Sequence, residues 1–224
     1  MEETSRIESL GVDVEKLKNA NILLFGVGGV GSYVLEMLAR SFIGHLTIVD
    51  SDVVSKSNIN RQLVAYQSTI GKKKVEVAKE RILDIFPNCI VTCIDSFILP
   101  ENLKNMDFSK YDYVIDAIDT VSTKIAIIEK AKNENIPVIS SMGTGNKFHP
   151  EKFKIVDISK TNTCPLAKVM RYELRQRGIN HVDVLYSEEI PVKTGSNTPG
   201  SIAYVPSAAG ILIASYVINK IIEK

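Results

Sequence analysis

The sequence predicts an α/β protein: a Rossmann-like, mostly parallel sheet with helices on both faces, plus a C-terminal extension carrying antiparallel strands. Three observations predict it. Short apolar runs of strand length alternate with helical patterns as far as Ser141. A glycine-rich turn, FGVGGVGS, joins the first apolar run to the first helical one. Beyond residue 145 the alternation gives way to period-two runs with a single helix between them.

The elements follow in order. NILLF (residues 21–25) is a first strand, YVLEMLARS (33–41) a helix and HLTIVD (45–50) a second strand. KKKVEVAKERILDIF (72–86) puts Val75, Ala78, Ile82 and Ile85 on one face, which is helical spacing, and Pro87 and Asn88 end it. CIVTCI (89–94), YDYVIDAID (111–119) and IPVISS (136–141) are three more strands, with a helix over 122–135 between the last two. KFKIVDIS (152–159) alternates with period two. The segment 165–178 opens with Pro and closes with Gly, the usual punctuation of a helix. DVLYSEEI (183–190) and SIAYV (201–205) are expected as further strands, and PVKTGSNTPG (191–200) between them as a polar, mobile loop. No internal repeat is present, so one α/β domain with an attached second half is expected.

Composition narrows the class. The chain has 224 residues, 45% of them hydrophobic, enough for a sizeable core. A net charge of +1 does not mark a bulk nucleic-acid binder, although it leaves room for a local basic patch. The start, MEETSRIESLG, is polar and acidic, unlike a secretory signal. Three cysteines without a CxxC pair argue against a disulfide framework and a four-cysteine zinc site, and suit a reducing cytoplasm. The apolar stretch 201–222 is interrupted by Pro206, Gly210 and serines. Its clean run falls short of the roughly 20 residues of a membrane span, so a buried helix or half of a dimer seam is expected and membrane contact is not.

Gly26, Gly28 and Gly31 have the GxGxxG spacing between a strand and a helix. Glycine lets the backbone turn sharply and approach a phosphate, and the helix start offers free N–H groups. Asp50 ends the next strand, where a carboxylate can accept from ribose hydroxyls. This much does not separate NAD from ATP. The segment DSDVVSKSNINRQ (50–62) does, because Asn58, Asn60, Arg61 and Gln62 crowd five positions and Lys74 follows at the next helix start. Arg and Lys neutralise triphosphate charge, and Arg can bridge two oxygens. Asp116 and Asp119 flank the end of the fourth strand, where open α/β sheets bind ligands. Asp119 either caps the following helix or ligates Mg2+ carried on ATP.

At these residues the chain resembles the ThiF/MoeB/HesA adenylating superfamily, relatives of the ubiquitin-activating enzymes. GVGGVGS, DSDVVSKSNINRQ, GKKKVEVAKERI and DYVIDAIDT carry the resemblance in order and spacing. CPLAKVMRYELRQRGI, VLYSEEIP and GSIAYVPSAAGILIASYVI are similar to the branch of tRNA threonylcarbamoyladenosine dehydratases, which use ATP to cyclise that nucleoside beside the anticodon. The resemblance implies a single ThiF-like domain over 1–224, with a nucleotide-binding half (1–145) and a substrate and dimer half (146–224). It implies that Gly28, Gly29 and Ser32 line the phosphate loop, and that Asp50, with Asp52 beside it, serves the nucleotide. Asn58, Arg61 and Lys74 should contact the triphosphate, and Asp119 should hold Mg2+. Arg6 matches an arginine that relatives reach across a homodimer to the partner's ATP. Neither the CxxC pairs of sulfur-carrier activators nor a thioester cysteine domain is present, which fits an adenylate consumed internally.

Other features are weighed separately. Cys164, just before Pro165, is either a thiolate nucleophile or a small residue at a helix entrance. Lys168, Arg171 and Arg175 share one face of the 165–178 helix, either a solvated surface or a grip on tRNA phosphates. His45, His149 and His181 share no metal spacing and receive no role. The leading expectation is an ATP- and Mg2+-dependent dehydratase acting on threonylcarbamoyladenosine in tRNA. Its rivals are an adenylyltransferase for a small ubiquitin-like sulfur carrier, an NAD-binding oxidoreductase and an inactive ATP-binding adaptor.

Overall fold

A computed structural model of the chain describes residues 2–196 and 198–223; Asn197, in the polar loop expected over 191–200, lies outside the described residues with Met1 and Lys224. Seven strands form one sheet: β1 (Asn21–Phe25), β2 (His45–Val49), β3 (Ile90–Ile94), β4 (Tyr113–Asp116), β5 (Val138–Ser141), β6 (Phe153–Asp157) and β7 (Asp183–Ser187). Their order is β3-β2-β1-β4-β5-β7-β6, parallel except for the antiparallel pair β6–β7. The second half of the chain therefore extends the same sheet.

Alternation along the strands fills a core on each face. Ile22 and Leu24 of β1, Leu46 and Ile48 of β2, and Ile115 of β4 face one core; Leu23, Phe25, Val49 and Val114 face the other. Helices α2 (Val14–Asn19), α3 (Gly31–Arg40), α4 (Lys74–Ile85) and α8 (Tyr204–Ile222) supply the first core. Helices α5 (Pro100–Leu103), α6 (Val121–Asn133) and α7 (Pro165–Gln176) supply the second. A four-residue helix, α1 (Ser5–Glu8), precedes α2. Burial on both faces explains why the central strands β1, β2 and β4 are apolar runs, whereas the edge strands β3 and β6 are partly exposed.

The expected strand over 201–205 does not form, because Tyr204 and Val205 open α8. Val205, Ala209, Ile213, Val217 and Ile221 recur every fourth residue and are all buried, so helical packing overrides the local β preference of IAYV. Pro206 sits in the first turn, where its missing N–H costs nothing. By length and composition α8 could cross a membrane, yet its buried stripe packs on α3 and the sheet.

Two contacts position the site. A Cβ on Gly210 would come within 2.4 Å of the Val30 carbonyl oxygen, so α8 and α3 touch backbone to backbone. Between α3 and α4 the buried Glu36 carboxylate accepts from Arg40 Nε (2.7 Å) and from Arg81 Nε (2.6 Å) and Nη2 (2.8 Å). Burial alone would raise the Glu36 carboxyl, but the two guanidiniums outweigh it and hold the group below its ordinary value.

Candidate functional site

The strand order reverses direction between β1 and β4, and a cavity of about 750 Å3 opens at the carboxyl ends of the central strands. Its floor is the glycine loop. Gly26 has φ +92°, and a Cβ there would sit 2.8 Å from the Ala117 carbonyl oxygen. A Cβ on Gly31 would lie 1.8 Å from the Gly26 oxygen, so that glycine lets α3 pack against its own entry turn. Gly28 has open space on its Cβ side, and Gly28 and Gly29 line the cavity. The Asp50 carboxylate ties the loop to the end of β2, accepting from Val27 N (2.6 Å) and Asp52 N (2.8 Å). It remains part of the cavity wall, and each oxygen keeps a further lone pair for a ligand hydroxyl.

The segment after β2 supplies the charges. Asn58 is buried and accepts from Ser55 N at 3.0 Å, which fixes the short turn Lys56–Asn58. Arg61 donates from Nη1 to the Ser57 carbonyl (2.8 Å) and to Asn60 Oδ1 (2.9 Å), and among the described residues it has no carboxylate partner. Lys74, at the start of α4 and only 4% exposed, donates to Asp52 Oδ2 at 2.7 Å. Gln62 also lines the cavity, and its buried Oε1 accepts no hydrogen bond among the described residues. Two held cations thus stand beside the glycine loop, as donors for a polyphosphate.

At the end of β4 the two aspartates separate. Asp119 is exposed in the cavity wall, and among the described residues its sole bond is a long 3.4 Å contact from the Thr120 hydroxyl. Thr120 is the residue that caps α6, without a side-chain bond, so Asp119 is free of the capping alternative. Asp116 is fully buried instead. It pairs with Lys124 Nζ at 2.9 Å and accepts from the Ser140 hydroxyl at 2.6 Å. Lys124 also donates to the Ile118 carbonyl at 3.0 Å, so the pair holds the loop that carries Asp119. Lys124 escaped the sequence reading; the available signal was a lysine on the apolar stripe it shares with Ile128 and Ala131.

Several expectations need correction. Ser32 is buried outside the cavity, where its hydroxyl accepts from Leu63 N at 3.1 Å; it braces the Arg61 segment instead of lining the phosphate loop. Gly31 likewise serves packing and does not line the cavity. Arg6, expected to act in a partner's site, needs no such correction: it is exposed on α1 and lies outside the cavity of its own chain. Arg171 is not a free basic group, because its Nη1 donates to the Thr161 carbonyl (2.9 Å) and hydroxyl (2.5 Å) while Lys168 and Arg175 stay exposed. His149 pairs with Glu151 and His181 with Asp157, away from the cavity.

The far wall comes from the second half: Gly143 to Lys147 after β5, Cys164 to Leu166 at the start of α7, and Pro191 with Thr198 to Ser201. Asn146, at φ +58°, pins this wall together. Its N–H donates to the Gly200 carbonyl (2.8 Å), its Oδ1 accepts from Gly200 N (2.6 Å), and its carbonyl accepts from Val192 N (2.8 Å). Lys147 is buried beside it and Cys164 is buried at the start of α7.

Known proteins resemble this chain over nearly its whole length. The ThiF family model matches residues 4–224. The chain is 41% identical to the tRNA threonylcarbamoyladenosine dehydratase of Bacillus subtilis (strain 168), over 94% of this chain and 90% of that relative. It superposes on the crystal structure of the E. coli tRNA N6-threonylcarbamoyladenosine dehydratase TcdA in complex with AMP, with a TM-score of 0.90, 34% identity, and coverage of 97% of this chain and 92% of that one. The same enzyme in complex with ATP gives a TM-score of 0.88 at 34% identity, covering 97% and 91% of the two chains. With its glycine loop, its basic segment and its closing helix all inside the matched span, the chain belongs to the ThiF family.

Proposed function

We propose that this protein is an ATP-dependent tRNA threonylcarbamoyladenosine dehydratase, which adenylates the carboxylate of the threonylcarbamoyl group and closes it into a ring with release of AMP. The observation that carries this reading is the cavity itself: Arg61 and Lys74 stand beside the glycine loop, two held cations matched to the charge of a triphosphate. The similarity to dehydratases along nearly the whole chain supports the substrate.

In this reading the substrate carboxylate attacks the α-phosphate, and the negative charge that develops falls beside Arg61 and Lys74. Both are held before any ligand arrives, by Ser57 and Asn60 in one case and by Asp52 in the other, so little reorganisation is needed. Asp119 fits a magnesium ion riding on the nucleotide, since it is an exposed carboxylate with one weak partner; the metal would further neutralise the phosphate oxygens. Asp50 serves the ribose. The first half of the chain binds the nucleotide and the second half the modified base. Arg6, remote from its own cavity, acts in the site of a partner copy in a homodimer. Lys168 and Arg175 hold the tRNA backbone.

The test is incubation with ATP, Mg2+ and tRNA bearing the linear modification, followed by nucleoside mass spectrometry. The dehydratase reading expects loss of one water from the modified nucleoside. Pyrophosphate exchange stimulated by a carrier protein's C-terminus, with no change in the nucleoside, would favour the sulfur-carrier alternative.

A further inference from the structure

Of the three buried lysines among the described residues, two are paired: Lys74 with Asp52 and Lys124 with Asp116. The third, Lys147, is 4% exposed and has no carboxylate within bonding distance among the described residues. Its single bond runs from Nζ to the Gly143 carbonyl, at 2.9 Å. It stands in the cavity wall, on the loop after β5. The nearby Glu189 is engaged elsewhere, since its two oxygens accept from Phe148 N and His149 N at 2.9 Å each. A buried ammonium with one acceptor is costly, and a neutral amine is not. Burial pushes the Lys147 amine below the ordinary lysine range, against the opposing fields of Cys164, at the start of α7, and Glu189, after β7.

We propose that Lys147 is a catalytic residue of the second half-reaction: the base that takes the proton lost when the threonylcarbamoyl ring closes. The inference rests on the dehydratase reading. After adenylation, a urea heteroatom forms a bond to the acyl carbon, and the bond from that carbon to the AMP oxygen breaks. AMP leaves with the electron pair. Whether nitrogen or oxygen closes the ring, one urea N–H proton must go elsewhere. The leaving phosphate is a weak base, and Asp50 is tied to the glycine loop. Lys147 lines the same cavity, on the wall furnished by the second half of the chain, and burial favours the unprotonated amine that can accept this proton. The proton passes from the urea nitrogen to Nζ, and from the resulting ammonium to water once the product departs.

The experiment is a single turnover on modified tRNA with ATP and Mg2+, reading pyrophosphate release and loss of water separately. Lys147→Met keeps the buried stem packed and removes the amine; Lys147→Ala leaves room for a small amine. In both variants pyrophosphate release should persist while water loss slows by about 10²–10⁴-fold. Added methylamine should restore water loss in Lys147→Ala, in proportion to its unprotonated fraction. In the unmodified protein, water loss should rise with pH through one group below the usual lysine range. Unchanged water loss in Lys147→Met would overturn the role. So would pyrophosphate release falling in step with water loss, failure of methylamine to rescue, or a flat pH profile in the unmodified protein. Pyrophosphate release without water loss in the unmodified protein would instead sink the dehydratase reading itself, and the role of Lys147 with it.

Discussion

At the scale of single residues, Asp116 and Lys124 show how a functional loop is held from beneath. Both are fully buried, and their pairing sets the position of the turn that carries Asp119. Removing one partner strands the other charge in a medium that cannot solvate it. Asp116→Asn should therefore lower unfolding stability by about 3–5 kcal/mol, measured by denaturant titration; a loss under 1 kcal/mol would mean that the lysine sheds its proton or finds another partner. Cys164 tests differently. It is buried at the helix entrance, and ring closure within one substrate group has no need of an enzyme thioester. Intact-mass spectra of acid-quenched turnovers should show no acyl adduct on the chain, and an adduct mapped to Cys164 would reinstate it as a nucleophile. That Gly26, Gly28, Gly29, Asp50, Arg61 and Lys74 would gather around one cavity was legible because their placement is local, fixed by spacing after two strands. Lys147 was not, since its lack of a partner depends on where the loops after β5 and β7 meet, and Glu189 lies 42 residues further along the sequence (189 − 147). Ser32 was misassigned for a similar reason: its hydroxyl is claimed by Leu63 N, a tertiary contact that the loop motif cannot display.

At the scale of elements, α3 and α4 are joined by the Glu36 clamp, and its pH dependence has a definite sign. The folded carboxyl titrates below the unfolded value near 4.5, so its contribution is complete above that pH and disappears as the pH falls through the folded value. Thermal unfolding followed from pH 6 downward should show an acid loss that is shallower in Glu36→Gln. That variant should also be less stable at neutral pH by about 1–3 kcal/mol. Helix α7 makes a second prediction. With Arg171 committed to Thr161, Lys168 and Arg175 remain to meet a phosphate backbone. Reversing both charges should flatten the salt dependence of tRNA binding by about two units of log–log slope, read by filter binding; an unchanged slope would remove α7 from the interface. Element types were legible wherever periodicity was sustained, as in α4 and β1. The failure came at 201–205, where Tyr204 and Val205 already belong to a helix whose stripe becomes visible only over its full length.

At the scale of the whole molecule, the nucleotide loop is supported by a helix from the other end of the chain. A Cβ added to Gly29 would stand 3.1 Å from Pro206 of α8, and one added to Gly210 would strike the Val30 carbonyl at the entry of α3. Gly210→Val should push α8 off α3 and displace the loop, so ATP affinity and melting temperature should fall together. Calorimetric titration beside a melting curve checks this, and a variant that melts early yet binds ATP normally would show that α8 supports the sheet alone. The mostly parallel sheet and a site at its strand ends were legible from alternation and the glycine turn, but the strand order and this dependence on α8 were not. The same contact has a consequence during synthesis. A nascent chain that already displays the loop, the basic segment and all seven strands still lacks the surface on which that loop rests, until residues 204–222 clear the ribosomal exit tunnel. Stalled intermediates of increasing length should therefore gain nucleotide retention abruptly, at the arrival of that last helix, and not gradually as each motif emerges.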